Sequence, residues 1–333
     1  MQTNPKVSII IPNYNHALYL KQRIKSVLHQ SFQDFELIIL DDCSTDYSRE
    51  IIEQYRSNPK VSHIIYNNKN SGSVFKQWIK GIERAIGEYI WIAESDDFAS
   101  EFFLEETVTL LQNDSSLGMV FTSTQAINEK NEPFNNIGKE KEYSLKKMAS
   151  FGNVIDSKNV VLFLVSQMII ENASSVLFRK SELMKVNFEK LKTFQNTGDR
   201  FTYIGIALES KIKLIPKPLC FMRLHEHNTT KKNTENGNIH RDRLQVINYY
   251  YKHFSNSEYK KEMAFFYKQN YFFFMNYCSY QENLELLNNI KKTKAISAIF
   301  YILVKYYMFL FLKKKVNIKG VRGLYYRILL LLN

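Results

Sequence analysis

The chain has 333 residues, 45% of them hydrophobic and 14% aromatic, enough to bury a sizeable core in one large domain or two modest ones. Its three cysteines, Cys43, Cys220 and Cys278, are too few and too scattered for a disulfide framework or a CxxC metal site. The start, MQTNPKVSIIIPNYN, lacks the basic lead, long apolar run and cleavage site of a signal peptide, so the expectation is a reducing, cytoplasmic home. The formal net charge of +12 is uneven: from Lys291 onward there are ten basic residues and no acidic one.

The first 130 residues alternate regularly. KVSIIIP (6–12), ELIILDD (36–42), VSHIIY (61–66) and EYIWIA (88–93) read as strands, each ending at polar or turn residues. Helical-period stretches lie between them: ALYLKQRIKSVLHQ, DYSREIIEQY and SVFKQWIKGIERAIG. Such alternation predicts an α/β fold with a mostly parallel sheet flanked by helices. A strand at 118–124 and a surface loop over 127–143 follow, then a buried helix in NVVLFLVSQMII, a strand in SSVLFRK and a helix over 198–210. The stretch KIKLIPKPLCFMRLHEHNTT reads as extended chain, KKNTENGNIHRDR as a linker, and 248–312 as helices. The predicted division is a domain over 1–230 and a helical, basic and apolar region over 231–333.

In open α/β sheets, ligands bind beyond the carboxyl ends of the strands. Three polar clusters fall there: Asn13-Tyr14-Asn15, Asp41-Asp42, and Glu94-Ser95-Asp96-Asp97. Glu94 and Asp96 are two residues apart, so extended backbone points both the same way, and such a pair can hold a hard divalent cation on a diphosphate. The last cluster reads equally well as a solvated turn, with Asp97 or Ser100 capping the helix at EFFLEETV. Asp41 can accept from a base or ribose, whereas Asp46 reads as the N-cap of YSREIIEQY. Asp199, at a helix start, can cap, or can act as a general base if the fold brings it to the site.

Taken together, VSIIIPNYNHALYLKQRIKSVLHQSFQDFELIILDDCSTD, NSGSVFKQWIKGIERAIGEYIWIAESDD, TGDRFTYIGIAL and FMRLHEHNTT resemble family 2 glycosyltransferases, in the family's order and over residues 5 to about 230. The resemblance implies the GT-A nucleotide-diphospho-sugar transferase fold and an inverting transfer from a nucleotide-sugar donor, usually a UDP-sugar, to a glycan or lipid-linked glycan hydroxyl. It implies that Pro12 and Tyr14 pack around the base and that Asp41 hydrogen-bonds it. Glu94-Ser95-Asp96 stands in for the family's DxD, with Asp96 the principal metal and ribose contact, and Mn2+ or Mg2+ as cofactor. Asp199 matches the general base, and Arg223 and His225 match an R-x-H element closing over diphosphate and metal. Two departures stand out. Glu94 replaces an Asp, and Lys76-Gln77-Trp78-Ile79-Lys80 lies where many relatives carry an Arg-Asn pair. Lys76 either contacts the nucleotide or lies on a solvated helix face.

Residues 295–312 are apolar apart from Lys305, which would cost about 2.5–3.5 kcal/mol near a bilayer centre. Lysines flank both ends, so an interfacial helix on an anionic membrane fits better than a span, and an ordinary packed helix remains a third option. The tail is too apolar for a nucleic-acid arm, and no nucleic-acid partner is expected. A dinucleotide oxidoreductase is disfavoured because the chain has no GxG. A sugar-nucleotide-making enzyme is disfavoured because PNYNHA lacks glycine. A catalytically inactive binding protein of the same fold would be expected to lose Asp96 or Asp199. The richness in Lys, Asn and Ile is that of an AT-rich, bacterial genome, with surface polysaccharide assembly as the expected setting and the inner face of the cell membrane as the expected location.

Overall fold

The computed structural model describes residues 4–134, 154–155, 161, 164, 169–226, 233–253, 257–292 and 296–314. The chain divides into two compact units, Met1–Lys231 and Lys232–Asn333.

In the first unit, β1 (Val7–Asn13), α1 (Ala17–Leu28), β2 (Phe35–Asp41), α2 (Ser48–Glu53), β3 (Val61–Tyr66), α3 (Val74–Arg84) and β4 (Tyr89–Ile92) follow one another as the sequence predicts. Then come β5 (Phe98–Ala99), α4 (Phe103–Asn113), β6 (Leu117–Ile127), β7 (Val154–Ile155), β8 (Val176–Arg179), α5 (Lys180–Leu183), α6 (Phe188–Leu191), α7 (Gly198–Glu209) and β9 (Lys211–Arg223). Among the described residues the sheet runs β3-β2-β1-β4-β8-β6-β9-β5, with β7 on β9. The β3-β2-β1-β4 half is parallel throughout, and the rest is mixed, β8 lying antiparallel to both β4 and β6.

Every residue of β1 and β2 is buried, as central parallel strands covered on both faces must be; that is why they read as unbroken apolar runs. The helices lay apolar stripes on them, α1 through Leu20, Ile24 and Val27 and α3 through Phe75, Trp78 and Ile82. Pro216 cannot donate to a ladder, and β9 skips two residues there against β6: Ile215 pairs with Thr122 and Pro218 with Ser123. Of the helix expected in NVVLFLVSQMII, only Val161, Leu164, Ile169 and Ile170 are described, all buried; the rest lies outside the described residues, as does most of the loop expected over 127–143.

The second unit contains α8 (Asn238–His253), α9 (Ser257–Tyr277), α10 (Tyr280–Lys292) and α11 (Ala298–Met308), the last ending in a π-helical turn, Phe309–Lys313. The expected linker over 231–243 is therefore wrong in its second half. Packing overrides its polar composition: Gly237 takes φ 77°, His240 stacks on Tyr277 at 5.1 Å, and Ile239 is buried. A side chain at Gly237 would run into the Tyr277 ring. Ser279 and Glu282 form a reciprocal cap at the head of α10, Ser279 N–H donating to Oε2 at 2.8 Å and Glu282 N–H to the serine hydroxyl at 3.2 Å. No helix among the described residues is long and apolar enough to cross a membrane.

Candidate active site

Loops leaving β1, β2 and β4 meet at one edge of the sheet and are stitched side to side. Asn13 Nδ2 donates to Asp41 Oδ1 at 3.0 Å and to Ser44 Oγ at 3.2 Å, and Thr45 N–H donates to Asn15 Oδ1 at 2.8 Å. Asp46 accepts from Ala17 N–H at 2.9 Å and Ser48 N–H at 3.0 Å, so one carboxylate caps both α1 and α2. Asn15 (φ 55°) and Cys43 (φ 65°) hold left-handed backbone here, a strain of roughly 1–3 kcal/mol at a residue with a Cβ, which the cross-links sustain.

Asp41 is buried and also accepts from Arg49 Nε and Ser44 N–H, at 3.0 and 3.1 Å. The buried Asn13 Oδ1 beside it has no partner among the described residues. Pro12 is buried near the end of β1, and Tyr14, just beyond the strand, is 45% exposed. Lys76 lies on the exposed side of α3 with its Nζ on the Ser71 carbonyl at 2.8 Å. Asp42 organises the neighbouring loop, accepting from Asn67 Nδ2, Ser71 N–H and Oγ, and Gln77 Nε2.

Beyond β4 the carboxylates part company. Asp96 Oδ2 lies 3.1 Å from His225 Nε2, and His16 Nδ1 lies 2.7 Å from Ser95 Oγ. Burial alone would raise the Asp96 carboxyl, but His16 and the bond to His225 hold it below its ordinary value. Glu94 Oε1 accepts from Trp78 Nε1 at 2.9 Å, and burial, with the Asp96 charge next, pushes its carboxyl up to about 8. Asp97 caps no helix. It is buried, accepts from Ser174 Oγ at 2.8 Å and Arg223 N–H at 3.0 Å, and is pushed up to about 6 by burial and by Asp96.

A buried arginine that sequence reasoning passed over lies beneath this cluster. Arg23, wholly inaccessible, donates Nε to the Glu94 carbonyl at 2.8 Å and Nη2 to Ser174 Oγ at 2.9 Å, and stands 3.9 Å from Asp97 Oδ2. The signal was present in the chain: Arg23 falls on the apolar stripe Leu20, Ile24, Val27, where an arginine has no reason to be unless a buried charge awaits it. Arg223 is equally committed, to the Asp96, Asn128 and Glu129 carbonyls and to Gln22, with its guanidinium 4.7 Å over the Tyr19 ring.

Asp199 sits in the first turn of α7, its Oδ1 accepting from Arg200 N–H at 2.7 Å. Gly198 lets that turn press against α3: a Cβ there would lie 2.8 Å from the Phe75 ring and 2.9 Å from Leu191. Ser73 Oγ ties the preceding loop down through the Phe194 carbonyl at 2.8 Å. Tyr203, one helical turn on, is fully buried, and its hydroxyl is raised well above the ordinary range by burial and then by the charges of Asp199 and Glu94. Asp199 and Glu94 therefore border one patch of interior.

His16, Asp96 and His225 place ligand atoms within 4.8 Å of one another. Imidazole and carboxylate donors from three separate elements fit a divalent cation. Glu94, expected among the ligands, is not one of the three, and His16 was not foreseen.

Residues 8–170 match the model of the family described as Glycosyl transferase family 2. Residues 8–170 belong to glycosyl transferase family 2.

The fold is GT-A. The structure superimposes on that of Staphylococcus aureus TarS (residues 1–349) in complex with UDP-GlcNAc with a TM-score of 0.63, at 17% identity over 90% of this chain and 83% of that one. It superimposes on the Pyrobaculum calidifontis mannosyltransferase PcManGT in complex with GDP-Man and Mn2+ with a TM-score of 0.55, at 15% identity over 99% of this chain and 86% of the other. In sequence it is 27% identical to a Pasteurella multocida chondroitin synthase over 312 residues, 89% of this chain and 29% of that protein. The chain spans less than half the length of the curated relatives it matches, 44% of the first of them.

Proposed function

We propose that the chain is an inverting glycosyltransferase that moves a sugar from a nucleoside-diphosphate donor, a UDP-sugar foremost, to a hydroxyl of a glycan or lipid-linked glycan. What supports this is the family 2 match over residues 8–170 together with Asp41 and the Asp96–His225 pair at the strand ends, and with Asp199 and Glu94 both acting on the buried Tyr203 hydroxyl. The base lies against Tyr14 and Pro12, where Asp41 and the unpartnered Asn13 Oδ1 offer acceptors to a ring N–H. Asp199 takes the proton of the acceptor hydroxyl as that oxygen attacks the anomeric carbon from the face opposite the diphosphate. Asp96 and His225 would hold a divalent cation, which when bound would supply charge compensation for the diphosphate. Arg223 fixes the loops that carry Asp96 and Asp97, and Lys76 stands at the rim within reach of a phosphate. The complexes of TarS with UDP-GlcNAc and of PcManGT with GDP-Man support a nucleotide-sugar donor, and the chondroitin synthase supports a polysaccharide acceptor.

A thermal-shift panel with UDP, GDP, CDP and NAD, each with and without Mn2+, tests the reading. A ligand at about a hundred times its Kd adds roughly 2.7 kcal/mol, a rise of at least about 2 °C for a chain this long. The expected result is a Mn2+-dependent rise with UDP that Asp96→Ala abolishes. A panel without any shift overturns it.

The cytoplasmic face of a membrane suits a lipid-linked acceptor. On α11, Phe300, Val304 and Tyr307 face inward, while Ile299, Ile302 and Tyr306 are 58–60% exposed beside the exposed Lys305. Lys313 and Lys314 follow at its end. An apolar stripe edged by lysines suits an anionic lipid surface. Liposome flotation should float the chain with anionic vesicles and lose at least half of the floated fraction in Ile299→Ser/Ile302→Ser. An unchanged fraction removes α11 from the membrane contact.

A further inference from the structure

We propose that His16 is a third protein ligand of the divalent cation, and that two imidazoles with one carboxylate bias the site toward a transition metal over Mg2+. The inference rests on the reading above and deepens it. His16 ends the loop between β1 and α1, Asp96 lies in the turn after β4, and His225 follows β9; nothing in sequence spacing joins the three. Their ligand atoms nonetheless lie within 4.8 Å of one another. Two ligands of one ion at bonds of about 2.1–2.3 Å stand at most about 4.6 Å apart, so the three close on an ion with small shifts.

The His16 ring is oriented for the task. Its Nδ1 is held by the buried Ser95 Oγ at 2.7 Å, which leaves Nε2 as the ring nitrogen for a cation. A hydrogen bond on the far nitrogen is how proteins aim a metal-binding imidazole. This also gives Ser95, between Glu94 and Asp96, its function: it aims a ligand supplied by another loop. The His225 ring is steadied in turn, edge-on to His16 at 5.7 Å and against Tyr19 at 5.2 Å.

The donor set decides the metal. Mg2+ keeps its waters and takes oxygen ligands, one or two carboxylates with phosphate being its usual company. Imidazole nitrogen is a poor exchange for that hydration but a good ligand for Mn2+ and the later transition ions. An Asp96–His225 pair alone would leave the choice nearly open; a second imidazole tilts it.

The test is direct Mn2+ binding to the full chain, with free Mn2+ followed by electron paramagnetic resonance, with and without UDP and with Mg2+ as competitor. His16→Ala should weaken Mn2+ binding at least about 10-fold and move the Mg2+ competition constant less than about 3-fold. Ser95→Ala, which keeps the imidazole but not its aim, should weaken Mn2+ by about 10-fold. Mn2+ binding unchanged in both variants, with wild type binding normally, overturns this inference alone. Wild type that binds no Mn2+ with or without UDP overturns it together with the metal-dependent reading.

Discussion

Asp199→Asn should cut kcat by about 10²–10⁴-fold while leaving UDP affinity and folding stability close to wild type. That loss corresponds to about 2.7–5.4 kcal/mol of transition-state stabilisation. Asparagine keeps an oxygen for the Arg200 N–H that Asp199 Oδ1 now accepts at 2.7 Å, so the turn that starts α7 should survive. It cannot accept the acceptor hydroxyl's proton. Single-turnover transfer from the donor sugar nucleotide, with UDP affinity measured beside it, separates the two roles. A variant within about 3-fold of wild type in that transfer rate would move the base elsewhere.

Arg23→Met should destabilise the folded chain by about 3–5 kcal/mol at neutral pH, although Arg23 has no surface exposure and touches no substrate. Methionine fills much of the volume, so the loss comes from charge: Asp97, 3.9 Å from Arg23, would be buried without a cation beside it. The pH dependence has a definite sign. Burial, with the Asp96 charge, lifts folded Asp97 to about 6, whereas an unfolded aspartate titrates near 3.9. The folded state therefore holds the proton longer, and stability falls as pH rises from about 4 to about 6. Without Arg23 the folded value climbs further, so the decline grows steeper and reaches to higher pH. Urea denaturation at pH 5 and pH 8 should show a clearly larger loss at pH 8. A loss below about 1 kcal/mol, equal at both pH values, would mean that the Arg23 charge does not support the carboxylate turn.

The parallel half of the sheet was legible because buried strands and amphipathic helices impose different periods on the chain. The strand ends then named Asp41 and Asp96, and a helix start named Asp199, as residues to watch. What stayed hidden has a common physical character. Arg23 and Asp97 stand 74 positions apart and meet only through packing, so neither predicts the other's burial. His16 looks like a loop residue until the turn after β4 is laid beside it and Ser95 takes its Nδ1. The polar run 238–243 reads as linker because its partners, Tyr277 among them, lie tens of residues downstream. Conversely, Asp46 was read as the cap of α2 and does bond Ser48 N–H; its second bond, to Ala17 on α1, is the part only the fold could supply.

That shared cap bears on how the pocket meets phosphate. In glycine-loop nucleotide folds the first free amides of a helix receive the phosphates. Here Asp46 occupies the leading amide of α1 and of α2, Ala17 and Ser48 N–H, with a carboxylate of the protein's own. A diphosphate would find the leading amide of each helix already taken, so in the proposed enzyme more of the charge compensation would fall to a cation at Asp96 and His225. Donor retention would then track the supply of free divalent ion, and a fall in that supply would slow glycan output while the fold stays intact.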